Sequence, residues 1–459
     1  MKHFYLPITA ASPLSIRSDH AQEGAATAYA IPGATVLGSL AAAHRILRPE
    51  NDEEFAQLFL NEQISMPYLY PARFSPDPSK SNPFNESNLP VIPLPKTAQT
   101  CKRFSGFKPL PDENTDEERH GIRDSLFDWA VFSLLRNEHH PIPALLAALD
   151  THKECKQCKQ VMDRIIGYYR CDRFDPKNKL DPKKRMKAQI ATHLQTRTGI
   201  NRSWGVVEEG ILYNREVFDE GMRFWGEIIL SDELTDAFMQ FLDEAVKEDV
   251  IRIGTGRTRG LGHVTLTQPK KSKESSGPGI IPRQSRVTVI TPEDAKGPLL
   301  PEAKREDLAS FEQRLQRFNA ALREQAQRAN VKTLHDFYFA ITLHSPTILC
   351  DAFLRYCTTL DAATLAPELD EPASTFELLY QSTEMQRITG WNELWGTPRP
   401  HDYALAMGST FLFACTRPLD GKLLQALYTL EETGLGRRRT EGFGRICISD
   451  PFHLEGEQI

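Results

Sequence analysis

The sequence predicts an α+β chain in which one domain plan is used twice, and three observations lead there. The run Gly254-Thr255-Gly256-Arg257-Thr258-Arg259-Gly260-Leu261-Gly262 returns near the C-terminus as Gly434-Leu435-Gly436-Arg437-Arg438-Arg439, then Gly442-Phe443-Gly444-Arg445. Each run follows an amphipathic helical pattern and precedes a short apolar strand. Finally, Phe4–Pro13 aligns without gaps to Phe337–Pro346, with Phe, Tyr, Ile, Thr, Ser and Pro coinciding. A repeated pattern of this kind organises the whole reading of a chain.

In chain order, the first strand runs into a polar loop over Ser18–Tyr29. Ile31-Pro32-Gly33-Ala34-Thr35-Val36-Leu37-Gly38 then opens a helix, because Pro and Gly suit a helix entry and the small residues that follow allow close packing. Residues 74–100 are rich in Pro, Ser and Asn and read as a long loop. Ile228–Leu230 reads as a strand, Ser231 as a helix cap, and Leu234, Phe238, Phe241, Leu242 and Ala245 as one apolar helix face. His263–Leu266 closes the first copy, Lys270–Lys273 and Ser275–Gly279 form a linker, and a charged helix spans about residues 302–329. In the second copy Thr410–Cys415 and Ile446–Ile448 are strands flanking a helix marked by Leu423, Leu424, Leu427 and Leu430. Gly-x-x-Phe precedes both loops, as Gly221 to Phe224 and Gly408 to Phe411.

At 459 residues the chain suits two or three domains, and its formal charge of −6 argues against a general nucleic-acid coat while leaving room for a local basic track. No stretch reaches the ~20 apolar residues of a membrane span, and Met1-Lys2-His3 leads straight into a strand, so the expected location is cytoplasmic, without membrane association. The eight cysteines are unevenly spaced. Cys101, His120, Cys155 and Cys158 offer four ligands for one structural zinc ion, with His152 and Cys171 as substitutes. Unliganded thiols and a redox Cys-x-x-Cys are the alternatives, the latter disfavoured because no strand leads into a helix there.

Arginine interleaved with glycine presents a fixed fork of donors on a backbone that others can approach closely, a combination suited to phosphate. The candidate residues are Gly254, Gly256, Arg257, Arg259, Gly260 and Gly262 in the first loop, and Gly434, Gly436, Arg437, Arg438, Arg439, Gly442, Gly444 and Arg445 in the second. Lys177–Lys187 is strongly basic, and His193–Trp204 brings Arg197, Asn201 and Arg202 beside Trp204, a mixture suited to phosphate contact and base stacking or to a solvated loop. Thr389-Gly390-Trp391-Asn392 and Trp395-Gly396-Thr397-Pro398 lie in a loop-rich region. A dinucleotide site is excluded, since the spacing is Gly-x-Gly-x-x-x-Gly after a helix rather than Gly-x-Gly-x-x-Gly between strand and helix.

These motifs together resemble the RAMP superfamily of CRISPR effector subunits. Ile31–Gly38 is similar to that family's Ile-Pro-Gly-Ser helix opening, with Ala34 in place of Ser, and Arg197, Gly199, Ile200, Arg202, Leu212, Tyr213, Phe224 and Gly226 match its Arg-x-Gly-Ile-x-Arg…Leu-Tyr…Phe-x-Gly segment. The resemblance implies two ferredoxin-like (RRM-like) domains: 1–268 with an inserted zinc-binding region about 74–190, a linker and charged helix over 269–330, and 331–459. With the Cys/His insertion, Thr389–Asn392 and Gly408-Ser409, the chain is most similar to the two-domain subunit of type III-D systems, grouped with proteins that bind the 5′ tag of crRNA. It implies a non-catalytic crRNA-binding subunit for antiviral defence. Its partners would be a large polymerase-like subunit and backbone RAMP subunits, and it would meet target RNA indirectly. The alternative is an endoribonuclease, cutting target RNA through Asp19 or precursor crRNA through His44.

Overall fold

The computed structural model describes residues 1–17, 27–72, 91–108, 118–141, 145, 154–170, 186–200, 203–204, 207–266, 300–303, 305–392 and 396–454, with the backbone alone at 186, 207–211 and 391–392. The chain divides into two compact units, Met1–Asn88 with Gln189–Ala303, and Leu89–Ala188 with Lys304–Ile459.

The first unit is built on an antiparallel sheet. Lys2–Ala10 lies between Arg223–Leu230 and Val264–Leu266, and the short strands Ile64–Ser65 and Tyr70–Pro71 pair with Arg223–Leu230 on its other side. Alternate residues Phe4, Leu6, Ile8 and Ala10 meet Val36, Leu40 and Ala43 of the helix Gly33–Leu47, and Phe238, Phe241, Leu242 and Ala245 of the helix Thr235–Lys247, in one core. The expected cap at Ser231 is not used. Its hydroxyl turns to Gln63, and the helix starts a turn later. A two-stranded hairpin, Thr192–Ile200 with Val207–Phe218, extends this unit and is largely exposed along its first strand.

In the second unit Phe337–Leu343 is central, pairing with Thr410–Cys415 and Ile446–Ile448, and Phe376–Ser382 adds an edge. Both faces of this sheet are covered. Phe337, Phe339, Ile341, Phe411 and Phe413 pack on Leu423, Leu427 and Leu430 of the helix Gly421–Thr433. Tyr338, Ala340, Leu412 and Ala414 pack on Leu126, Ala130 and Leu134 of the helix Leu126–Asn137 and on Phe318 and Leu322 of the charged helix Leu308–Arg328. A sheet buried on two faces shows no polar alternation, which is why these strands read as unbroken apolar runs. Chain order and packing part company here: residues 89–188 are contiguous with the first copy in sequence but pack with residues 304–459.

Part of the expected loop over 74–100 is instead strand. Val91–Pro93 pairs with Tyr168–Arg170, and Ala98–Cys101 with Ile122–Asp124 and Met162–Arg164. Ile92, Leu94 and Ala98 bury themselves with Phe107, Tyr169 and Phe452, so apolar burial outweighs the Pro-rich composition around them.

Candidate functional site

Each glycine–arginine loop is pinned by its backbone to the segment that follows its unit's central strand. In the first unit Thr255 N–H donates to the Ser15 carbonyl at 2.9 Å, Gly262 N–H to Pro13 at 3.1 Å and Ile253 N–H to Gly262 at 2.8 Å. In the second, Arg437 N–H donates to Ile348 at 3.0 Å, Gly444 N–H to Pro346 at 2.9 Å and Leu435 N–H to Gly444 at 2.8 Å. The same bonds at matched positions make Gly254 the counterpart of Gly436, not of Gly434, which opens the second motif. A short 3₁₀ turn then occupies Arg257–Arg259 in one loop and Arg439–Glu441 in the other.

This register sets Gly256 against Arg438, and both are left-handed, with φ of 79° and 57°. A Cβ on Gly256 would lie 3.0 Å from Nη1 of Arg215, so glycine there lets a neighbouring guanidinium come in. In the second loop the position is filled by an arginine that is used internally. Arg438 donates through Nε and Nη2 to Glu441 at 2.9 and 2.7 Å and through Nη1 to Asp402 at 2.5 Å, and its guanidinium lies 4.9 Å from the Phe443 ring centroid. Burial lowers its pKa, but the bonds to Glu441 and Asp402 outweigh that and hold it above the usual arginine range.

The first loop is different, because its arginines gather around one another. Tyr213 pairs across the hairpin with Arg197, and Arg215 with Gln195, which puts these side chains on one face of the ribbon. That face meets the loop: Arg259 Nη1 donates to the Tyr213 hydroxyl at 2.8 Å, and Arg215 Nη1 to Thr255 Oγ1 at 3.5 Å. Burial holds the Arg215 guanidinium below its usual value. Tyr213 opposes this, while the positive charges of Arg197, Arg17 and Arg259 add to it. Among the described residues none of these four arginines forms a salt bridge. Arg17 and Arg215 belong to none of the sequence motifs; only the folded hairpin and loop bring Arg215, on the same face as Tyr213, against Thr255 and Gly256.

The remaining candidates scatter. Arg257 is exposed, its Nε bonded to the Gly254 carbonyl at 3.1 Å, and Arg439 reaches the Gly434 carbonyl at 3.4 Å. Arg445 uses its backbone N–H on Ser345 Oγ at 2.9 Å. Trp204 is exposed, whereas Arg202, Asn201, the basic run 177–185, His152, Cys171 and Asp19 lie outside the described residues. His44 is fully buried among Phe55, Phe59 and Phe241, with Nε2 3.1 Å from Glu54, so its ring presents no surface to a scissile phosphate.

Cys101, His120, Cys155 and Cys158 do come together in the second unit, each offering a ligand atom within 4.8 Å of the others. The Cys101 and Cys158 sulfurs are 3.5 Å apart, and His120 Nδ1 is 3.3 Å from the Cys155 sulfur. A tetrahedral zinc with ordinary bond lengths has edges of about 3.8 Å between sulfurs and about 3.5 Å between sulfur and nitrogen. Burial pushes the Cys101 and Cys155 thiols up, but backbone N–H groups of Phe104 and Arg103, and of Cys158 and Gln157, outweigh it and draw both below the ordinary thiol value. Cys158 is pushed up, by burial and by its two thiol neighbours. Glu118 accepts from His120 Nε2 at 2.9 Å, raising the histidine's pKa and leaving Nδ1 facing the sulfurs, as an outer carboxylate does for a metal-bound histidine. This buried cluster fits a metal ion.

The family model of the RAMP superfamily matches residues 8–265, more than half of the chain and all of the first loop and hairpin. The chain belongs to the RAMP superfamily. No curated protein matches this RAMP chain. Among solved structures it is similar, at 10% identity and a TM-score of 0.36, to a chain of the type III-B Cmr-beta bound to cognate target RNA, with 89% of this chain and 86% of that one covered. A second structure of that complex, with target RNA and AMPPnP, gives 9% identity and a TM-score of 0.34 over the same shares. The apo complex gives 12% identity and 0.28, covering 58% of this chain and 96% of that one. Among the described residues no helix is long and apolar enough to cross a membrane.

Proposed function

We propose that this RAMP chain is a non-catalytic RNA-binding subunit of a type III CRISPR–Cas interference complex, most like type III-D, that holds the 5′ tag of crRNA. One observation carries the reading: Arg215 and Arg259 meet at the first glycine loop, Arg17 and Arg197 lie near enough to act on Arg215 electrostatically, and none of the four forms a salt bridge among the described residues. Like charges gathered in this way favour a polyanionic ligand, and guanidinium forks on a fixed backbone fit RNA phosphates. Tyr213 beside them supplies an aromatic edge. The second loop serves differently, since Arg438 is spent on Asp402 and Glu441 and braces the loop from within. The buried Cys101, His120, Cys155 and Cys158 set is read as a structural zinc site, because four protein ligands leave no open position for a reacting water.

The test is salt-dependent binding of crRNA to the full chain, with and without its complex partners. Arg215→Gln with Arg259→Gln should weaken binding at least tenfold and reduce the slope of log K against log salt by about 1.4, at ~0.7 per lost single-strand phosphate contact. An unchanged slope refutes the assignment, and so does crRNA that crosslinks only to other subunits.

A further inference from the structure

The second unit carries an exposed aromatic surface that the arginine cluster of the first does not explain. Met385–Ile388 pairs with Asp402–Leu405; Leu405 bridges to Thr347, and Ile348 to Arg437 of the second glycine loop, so hairpin, connecting segment and loop form one continuous ladder. Along it Tyr356 packs edge-on against Tyr403, their ring centroids 5.6 Å apart, and both stay accessible, at 38% and 47%. Arg387 lies directly across the hairpin from Tyr403 and is exposed. Phe353 stands out at 80% exposure, with the Arg355 guanidinium 5.3 Å from its ring centroid.

The turn that presents Phe353 is built, not slack. Asp351 Oδ1 accepts the backbone N–H groups of Phe353 and Arg355 at 2.9 and 3.0 Å, Oδ2 accepts Arg355 Nε at 2.7 Å, and Cys350 bridges to Tyr356. Tyr356 is steadied by a bond from its hydroxyl to Asp402 at 2.7 Å, which leaves the ring as its free surface. The cations at the two ends are uncommitted: among the described residues neither Arg387 nor Arg437 has a carboxylate partner, and the Arg437 guanidinium meets only the Cys350 sulfur, at 4.0 Å.

We propose that Phe353, Tyr356 and Tyr403, flanked by Arg387 and Arg437, form a second RNA site, a stacking platform for unpaired bases of a single-stranded segment. Rigid, exposed rings accept the π-face of any base, and unpaired guanidiniums beside them take the intervening phosphates. A protein surface would need carboxylates to meet those two arginines, and an apolar one would leave them unpaired, so charge favours the polyanion. The inference rests on the reading of the chain as an RNA-binding subunit and deepens it.

Full-chain protein is titrated with a fluorescein-labelled, mixed-sequence single-stranded RNA of about 20 nucleotides, in parallel with Arg215→Gln/Arg259→Gln protein. Phe353→Ala with Tyr403→Leu touches exposed side chains only, and circular dichroism and Tm check the fold. The expected result is about tenfold weaker binding with an unchanged salt slope, since stacking releases no counterions, while Arg437→Gln lowers the slope by about 0.7. Wild-type affinity in the aromatic variant overturns the platform, and leaves the function standing if the Arg215/Arg259 variant has lost affinity. Loss of a co-purifying protein, with RNA binding intact, makes the surface a protein contact and overturns it too. No RNA binding by the wild type overturns both readings.

Discussion

Gly444 and Gly260 make a paired test of how the two loops are built. Both have φ of +76°, so an alanine at either position meets the same backbone penalty, about 1 kcal/mol for a non-glycine residue in the left-handed region. They differ in space. A Cβ on Gly260 meets nothing within 4 Å, whereas one on Gly444 would lie 1.9 Å from the Leu435 carbonyl oxygen and 2.9 Å from its carbon. That overlap can be relieved only by parting the Leu435–Gly444 backbone pair, beside the fully buried Leu435 and Phe443. Losing a buried backbone bond costs about 1–3 kcal/mol and disturbed packing adds about 1–2 kcal/mol, so with the backbone penalty Gly444→Ala should cost roughly 3–6 kcal/mol in all. In units of this size each kcal/mol moves Tm by about 2–4 °C. Differential scanning calorimetry, with the transitions of the two units separated, should then show a fall of several to some twenty degrees for Gly444→Ala and of a few degrees for Gly260→Ala. Equal shifts would refute the argument, because φ is the same at both positions and the Cβ overlap occurs only at Gly444.

Further outcomes follow from other parts of the structure. Gly256→Ala should displace Arg215 by its 3.0 Å approach to Nη1 and lower crRNA affinity several-fold with a Tm change of only a few degrees; an unaltered affinity would remove Arg215 from the interface. Purified protein should contain about one zinc per chain, lost with Cys155→Ser or Cys158→Ser, and a strong chelator should lower Tm of the second unit by well over ten degrees. Metal-free protein of unchanged Tm would discard the metal centre. Burial raises the Asp128 carboxyl to about 6 against the pull of Arg123, with Asp124 adding. Between about pH 4 and 6 the folded state therefore keeps a proton that the unfolded chain has lost. Stability from this group declines as pH rises through that window, by up to about 3 kcal/mol. Relative to Asp128→Asn, the wild type should gain stability as pH falls from 6.5 to 4, and parallel pH profiles would contradict the burial of that charge.

What the sequence determined by itself was whatever is local or repeated. The helix over Leu308–Arg328, the strands Thr410–Cys415 and Ile446–Ile448 and the two glycine loops were legible, since period, glycine and arginine are written within a few residues of one another. The RAMP membership was legible for the same reason. The members of the Cys/His cluster were legible by type, but only folding decided that Cys101 and His120 meet Cys155 and Cys158, across gaps that spacing does not constrain. Tertiary structure alone decided three things. Strand register brings Arg215 to the first loop and displaces the second loop by two residues, and register is a property of paired backbones. The helix Leu126–Asn137 packs on one face of the second sheet because Leu126, Ala130 and Leu134 are buried there, a match of surfaces distant in sequence. And the partners of each arginine were decided there too: both motifs are rich in arginine, yet Arg438 is paired with Asp402 and Glu441 while Arg259 meets a tyrosine hydroxyl and has no carboxylate partner among the described residues.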